Sequence, residues 1–291
     1  MRLVVLGAGF LGTRLANRLL DVADVFVATL NPDQTGMTGV DALDLNRLSE
    51  YIGNVRPEVV ISTVALASYY KCEENRDMCF SVNYQANKNI LDVCKSVNAR
   101  MAYISSSYIF DGRVGNYSEG DLANPQGNYA KSKLLAENYI LQESNSIIFR
   151  LDCLYGYDAA QSCIRVGGNT FRSRMNVAFP DIIRTPIFID DAVDLVSKVL
   201  HSGRSGVFNL AGERRLTWLK FLNDLAQMEG LEGNIYPDDP GNWIVHPPKD
   251  TSLNIQKIRQ LGYGPRSYEE SLKILRLQVG SSNFGISNFN R

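Results

Sequence analysis

Short apolar runs rich in β-branched residues recur through the first half of the chain: RLVVL at 2–6, DVFVAT at 24–29, EVVIST at 58–63, MAYIS at 101–105 and SIIFR at 146–150. Runs of this length, apolar at nearly every position, suit strands covered on both faces, as in a parallel sheet. Between them, Leu11–Leu20, Glu74–Val97 and Tyr129–Gln142 carry apolar residues at the three- and four-residue spacing of an amphipathic helix. Strand and helix in alternation predict the α/β class, a doubly wound parallel sheet of the Rossmann kind with its ligand crevice at the carboxyl ends of the strands.

After Arg150 the rhythm loosens. GGNTFRSRM at 167–175 has no clear period, RTPIFI at 184–189 reads as an isolated strand, Asp190–His201 as a helix and GVFNLAG at 206–212 as a further strand. The expected organisation is a dinucleotide-binding domain over 1–150 and, over 151–291, the remaining sheet strands interleaved with a smaller C-terminal substrate lobe. Trp218, Phe221, Leu222 and Leu225 fall at helical spacing and read as core. The tail SSNFGISNFNR at 281–291 is polar and aperiodic, which suits a disordered or packing segment.

Composition narrows the function. At 45% hydrophobic and 21% charged residues the chain can bury a core, which excludes disordered and collagen-like classes. Thirty Lys and Arg against 31 Asp and Glu leave a net charge of -1, so no field of one sign is available for a nucleic-acid backbone or an anionic membrane. The first apolar run is broken by Gly7 and Gly9, too short for a signal segment or a span, and a cytoplasmic location is expected. Five cysteines without a CxxC pair, and only two histidines, predict neither a disulfide framework nor a zinc site, and leave histidine-base chemistry poorly supplied.

The strongest local motif is VVLGAGFLG, a strand running into Gly7-Ala8-Gly9-Phe10-Leu11-Gly12 and then a helical pattern. Gly7 permits the tight turn, Gly9 admits a pyrophosphate close to the backbone, and Gly12 lets the helix pack on the strand, whose free N–H groups then face the phosphates. The acid expected about 20 residues on is replaced by Ala28-Thr29-Leu30-Asn31. Thr29 and Asn31 can hydrogen-bond a 2′-phosphate without repelling it, so the cofactor is NADPH or NADH with a slight tilt to NADPH.

Tyr129 and Lys133 stand four apart on one helical face, an arrangement in which an ammonium favours a phenolate and makes the Tyr a general acid/base. Tyr84 and Lys88 repeat the spacing. Only Tyr129 follows a strand ending in hydroxyls, Ser105-Ser106-Ser107, and Tyr84-Lys88 is read as structural. In a sugar-ketone reduction Ser106 would bond the carbonyl oxygen, Tyr129 would give it a proton, and Lys133 would lower the Tyr pKa while bonding the nicotinamide ribose.

These residues together resemble the extended short-chain dehydrogenase/reductases and, within them, the dTDP-4-dehydrorhamnose reductase family. The similarity spans nearly the whole chain: the glycine turn, Asp44-Leu45, ISTVALASYYKCEEN at 61–75, Ser81-Val82-Asn83, SSSYIFDG at 105–112, YSEGDLANPQGNYAKSK at 117–133, FRLDCLYG at 149–156, GNTF at 168–171, RTPIFIDDAVD at 184–194, GVFNLAG at 206–212 and PKDTSLN at 248–254. The resemblance implies NAD(P)H-dependent reduction of the 4-keto group of a nucleotide-linked deoxy sugar. It assigns Gly7, Gly9, Phe10, Leu11, Gly12, Thr29, Asn31, Asp44, Leu45, Val64, Ala65, Asn83, Tyr129 and Lys133 to the cofactor, and Ser107, Tyr108, Cys153, Arg172 and Arg174 to the substrate. Partners are then a small-molecule nucleotide-sugar substrate and a second copy in a homodimer, with no nucleic acid and no membrane.

Two departures bear on substrate. Ser107 stands where the family has an acid, and Cys153, preceded by Asp152, where it has an aromatic. Ser107-Tyr108 also lacks the acid pair of sugar-nucleotide 4,6-dehydratases, and without a Cys beside Ser106 the chain departs from fucose-type epimerase-reductases. The alternatives carried forward are an NAD-dependent nucleotide-sugar epimerase and a non-catalytic regulatory subunit of the same fold. Glu119 and Asp121 are read as loop carboxylates in solvent.

Overall fold

The computed structural model describes residues 1–32, 36–167, 169–171, 180–228, 235 and 247–286, with the side chains of residues 169 and 282–286 outside that description. The chain alternates β1 (Arg2–Leu6), α1 (Phe10–Leu19), β2 (Asp24–Thr29), β3 (Met37–Gly39), α2 (Leu45–Val55) and β4 (Val59–Ser62). Two short helices, α3 (Tyr69–Glu74) and α4 (Arg76–Phe80), a π-helical turn (Ser81–Gln85) and α5 (Ala86–Ser96) lead to β5 (Arg100–Ser106). A 3-10 turn (Ser107–Ile109), α6 (Gly127–Ile140) and β6 (Ile147–Leu151) follow.

The rest comprises β7 (Leu154–Asp158), β8 (Cys163–Val166), β9 (Asn169–Thr170), β10 (Ile183–Arg184), β11 (Ile187–Phe188), α7 (Ile189–His201), β12 (Gly206–Leu210), β13 (Leu216–Thr217), α8 (Trp218–Met228), α9 (Gln256–Gln260) and α10 (Tyr268–Ile286). Seven strands form one parallel sheet in the order β12-β6-β5-β4-β1-β2-β3. Four others make a small sheet, β11-β7-β8-β9, and β10 pairs with β13.

Alternation of side chains along each strand splits the core between the two faces of the large sheet. Val4, Leu6, Val60, Met101, Tyr103 and Ile148 pack under α2, α5 and α6, whereas Leu3, Val5, Ile61, Ala102 and Phe149 pack under α1 and α7. With both faces covered, near-continuous apolar strands are what the architecture requires.

Three segments differ from the sequence-based expectation. The strand expected over 184–189 is two, because Pro186 lacks an N–H and interrupts the ladder between β10 and β11. The helix expected over 74–97 begins with a separate α4, capped by Asn75, whose Oδ1 accepts the Met78 N–H at 2.9 Å, and then loosens into the π turn. Ser281–Ile286 continues α10, so the first part of the polar tail is helical, and 287–291 lie outside the described residues. Phe221, Leu222 and Leu225 are buried in the core and Trp218 packs partly buried against it. No helix among the described residues is long and apolar enough to cross a membrane.

Candidate active site

β1 ends at Leu6, and Gly7 takes a positive φ of 97° to turn the chain toward α1, its N–H donating to the Ala28 carbonyl at 2.8 Å. A Cβ on Gly12 would lie 2.0 Å from the Gly7 carbonyl oxygen, so only glycine lets α1 sit this close to the turn. Thr63, just past β4, locks the turn from below, its hydroxyl lying 3.1 and 3.0 Å from the Leu6 and Gly7 carbonyls. Gly9 caps α1 without a side chain, no acid occupies the first turn, and nothing lies within 4 Å of where its Cβ would be. The result is a helix N-terminus open to an anion at the carboxyl edge of the sheet.

Phe10 and Leu11 are half-buried on the first turn of α1. Thr29 is half-buried and Asn31 exposed past β2, and Val64 is half-buried and Ala65 exposed past β4. Asp44 and Leu45 are exposed at the start of α2, where the Asp44 carboxylate accepts the Arg47 N–H at 3.0 Å as a helix cap. Asn83 is fully buried. Its side-chain Oδ1 accepts the Leu66 N–H at 2.7 Å and its side-chain amide donates to Ser132 at 3.0 Å, tying the segment after β4 to α6.

β5 delivers Ser106 to the same edge. Its hydroxyl accepts the Tyr108 N–H at 3.2 Å and is the group that opposes burial at the Tyr129 phenol. Tyr129 stands in the first turn of α6, and α3 anchors that turn: the Glu73 carboxylate accepts the Asn128 N–H and, at 2.9 Å, its amide, while the Tyr69 hydroxyl donates to Gln126 O at 2.9 Å. Lys133, one turn on and 2% exposed, points its Nζ at the Ile104 carbonyl, 2.6 Å away, and over the Tyr103 ring at 4.1 Å.

In this structure the ammonium expected to favour the Tyr129 phenolate is held by a backbone carbonyl. Burial pushes the phenol well above its ordinary value, and the opposing influence is the Ser106 hydroxyl. Burial also draws the Lys133 ammonium down to about 7, with Glu137 resisting. The reason is positional: β5 runs directly beneath α6, so its Ile104 carbonyl meets the ammonium first.

The substrate-facing set divides. Tyr108 stays beside Tyr129, the rings edge-on at 6.1 Å, and Tyr69 joins them at 5.7 Å from Tyr108 and 6.4 Å from Tyr129. Ser107, only 1% exposed, is instead sealed into the interior, donating to Asp152 at 3.0 Å and meeting Thr251 at 3.2 Å, so it braces the crevice floor rather than lining it. The other Asp152 oxygen accepts from Thr185, so the acid before Cys153 is spent within the protein. Cys153 is half-buried, with Sγ 3.9 Å from where a Gly167 Cβ would be. Arg172 and Arg174 lie outside the described residues.

Other readings also meet their partners. Lys88 pairs with Asp92 at 2.7 Å and lies over the Tyr139 ring at 5.1 Å, as a structural residue should. Glu119 is not a solvated carboxylate, because it accepts the Asn209 N–H of edge strand β12 at 2.9 Å. Tyr69, Glu73 and Arg184 were not singled out by sequence reasoning. The buried Arg184 guanidinium lies 5.0 Å from the Tyr108 ring centroid and donates to the Pro248 carbonyl at 2.9 Å. Its signal is a lone cation opening the apolar run RTPIFI.

The doubly wound sheet, the open glycine turn and the Ser-Tyr-Lys cluster define an extended short-chain dehydrogenase/reductase-like fold. The chain belongs to the family described as RmlD substrate binding domain, whose model matches residues 1–278. It is 25% identical over 283 residues to the probable low-salt glycan biosynthesis reductase Agl14 of Haloferax volcanii, covering 92% of this chain and 94% of that protein. It is also 24% identical over 240 residues to methionine adenosyltransferase 2 subunit beta of Bos taurus, covering 78% and 72%. Its fold superposes with a TM-score of 0.84 on dTDP-4-dehydrorhamnose reductase from Bacillus anthracis in complex with NADP, at 21% identity and covering 95% and 99% of the two chains.

Proposed function

We propose that the protein is an NAD(P)H-dependent reductase of the 4-keto group of a nucleotide-linked deoxy sugar. The observation that carries this reading is the placement of Ser106, at the end of β5, and Tyr129, in the first turn of α6, at the edge of the sheet that also holds the open glycine turn. Gly7, Gly9 and Gly12 with the α1 N-terminus would hold the cofactor pyrophosphate, and Thr29, Asn31, Val64, Ala65 and Asn83 the remainder of its cradle. A nicotinamide cofactor, when bound, supplies the hydride.

The chain's own groups do the rest. Ser106 bonds the ketone oxygen and, through the same hydroxyl, fixes the Tyr129 phenol. With its pKa raised, Tyr129 carries its proton at neutral pH and gives it to the oxygen as charge develops there. Lys133, held by the Ile104 carbonyl, places a cation beneath the site. The three rings of Tyr69, Tyr108 and Tyr129 wall off water and present apolar faces to the sugar.

Purified protein should oxidise NAD(P)H only when a nucleotide-linked 4-keto-6-deoxy sugar is added. Tightly held, stoichiometric NAD in freshly purified protein would favour epimerisation instead, since that reaction reoxidises its cofactor within each cycle. Similarity to methionine adenosyltransferase 2 subunit beta favours a second reading, a regulatory subunit. Recovery of a stoichiometric partner enzyme, with no turnover on any such sugar, is its expected outcome.

NADPH should bind at least as well as NADH, because Thr29 and Asn31 bring no charge against a 2′-phosphate. Titration of both at equal salt checks this. A tenfold preference for NADH, about 1.4 kcal/mol, would mean that a carboxylate such as Asp44 leaves its helix cap for the ribose, and would overturn the reading of the strand end.

A further inference from the structure

Two of the five cysteines stand apart from ordinary buried thiols. Cys94 packs among Ile90, Leu91 and Val93 in the aliphatic core, as a small apolar residue does. Cys72 on α3 and Cys79 on α4 are equally inaccessible but share a polar nest under the active-site cluster. The Asn83 amide nitrogen is 3.8 Å from Cys72 Sγ and 3.5 Å from Cys79 Sγ, so one donor bridges the two sulfurs.

The protons can be placed. The Leu66 carbonyl only accepts, so the Cys72 S–H donates to it across 3.4 Å. Ser132 spends its single proton on the Tyr129 carbonyl at 2.7 Å, so its oxygen accepts from the Cys79 S–H at 3.3 Å. Cys79 ionises first of the two: the Cys72 S–H, and after it the Ser132 hydroxyl, can rotate toward a thiolate there, and with the Asn83 amide they lower its pKa against burial, while Cys72 is held protonated.

We propose that Cys72 and Cys79 are a redox-modification site that small peroxides convert to an intramolecular disulfide. The Cys79 thiolate attacks one oxygen of hydrogen peroxide, the O–O bond breaks, and the departing hydroxide takes up a proton as water. Cys79 is then a sulfenic acid. The Cys72 sulfur attacks it, the S–O bond breaks, the Cys72 proton joins the leaving hydroxide, and a second water departs. Two electrons pass from the sulfur pair to the peroxide. Both thiols are buried beneath the turn that carries half-buried Tyr129, and peroxide is close to water in size.

Oxidation removes both S–H donors, from Leu66 O in the segment after β4 and from Ser132 beside the Tyr129 carbonyl. Its expected consequence for cofactor binding rests on the function proposed above; the modification itself does not.

The test uses the whole reduced chain and hydrogen peroxide. The mass should fall by about 2 Da as one disulfide forms. Trypsin cuts after Lys71 and Arg76, so a 72–79 bond joins two otherwise separate peptides, and dithiothreitol should release them. The bond should form before the half-buried Cys153 and Cys163 are oxidised. Cys72→Ser should leave a Cys79 sulfenic acid that dimedone traps, and the wild-type peptide map stands without it if that variant fails to fold. Oxidation confined to Cys153 or Cys163, with Cys72 and Cys79 still alkylatable after denaturation, would overturn the proposal. The oxidised chain should bind NADPH at least tenfold more weakly than the reduced one. Failure of that measurement alone, with the cross-link present, counts against the cofactor site and not against the thiol pair.

Discussion

Tyr129→Phe is expected to cut reductase turnover by about 10²–10⁴-fold, the usual worth of a positioned proton donor. The substitution removes one oxygen and keeps the ring, so the edge-on contacts with Tyr69 and Tyr108 survive. Cofactor binding and melting temperature should therefore hardly change, which separates lost chemistry from lost structure. Ser106→Ala should have a smaller effect. It removes the one contact that opposes burial of the phenol, leaving the proton in place but harder to give. Turnover of Tyr129→Phe at the wild-type rate, followed by NAD(P)H oxidation, would falsify the assignment of this phenol as the acid.

The sequence made the scaffold of this site readable and hid its bracing. Strands β1, β4, β5 and β6 announce themselves because sheet and helices bury them on both faces, leaving nearly unbroken apolar runs. The glycine turn is equally plain, since a Cβ at Gly12 would strike the Gly7 carbonyl and no other residue solves that contact. By contrast α3 is a six-residue helix too short to show a period, so Tyr69 and Glu73, which clamp the start of α6, carry no local signal. α2 buries only Leu48 and Ile52, a weak stripe that also left Asp44 without its helix-cap reading.

The partner that Lys133 meets is set in a similar way. Four-residue spacing places Tyr129 and Lys133 on one face of α6, but which atom the ammonium meets is decided by β5, a different strand. Ser107 shows the same limit. In sequence it sits in a row of three serines, and only the strand alternation with the following 3-10 turn determines that Ser106 faces the crevice while Ser107 turns to Asp152.

The largest expected change in stability belongs to Glu137 and Arg150. Glu137, on α6 one turn beyond Lys133, is fully buried, and the Arg150 guanidinium of β6 grips its carboxylate from Nε at 3.2 and 3.1 Å and from its terminal nitrogen at 2.8 Å. A further Arg150 nitrogen donates to the Glu119 carbonyl at 3.0 Å, and the cation lies 5.4 Å from the Phe110 ring centroid. Neither charge can find water if its partner is deleted. Glu137→Leu should therefore cost about 3–5 kcal/mol, the penalty of an uncompensated buried charge, and lower the melting temperature by about 5–8 °C. Replacing both residues, Glu137→Leu with Arg150→Met, should recover most of that loss, because the desolvation of the pair roughly cancels its attraction. The single change also acts on Lys133. With the Glu137 carboxylate gone, nothing equal resists the burial that already draws the ammonium down to about 7, so more of it is neutral at neutral pH and turnover should fall off at lower pH than in the wild type. Thermal melts of the two single variants and the double, with a pH profile of any variant that stays folded, check both effects. A Glu137→Leu protein that melts with the wild type would mean that α6 carries this charge pair as an ornament, and that Lys133 keeps its proton by some other means.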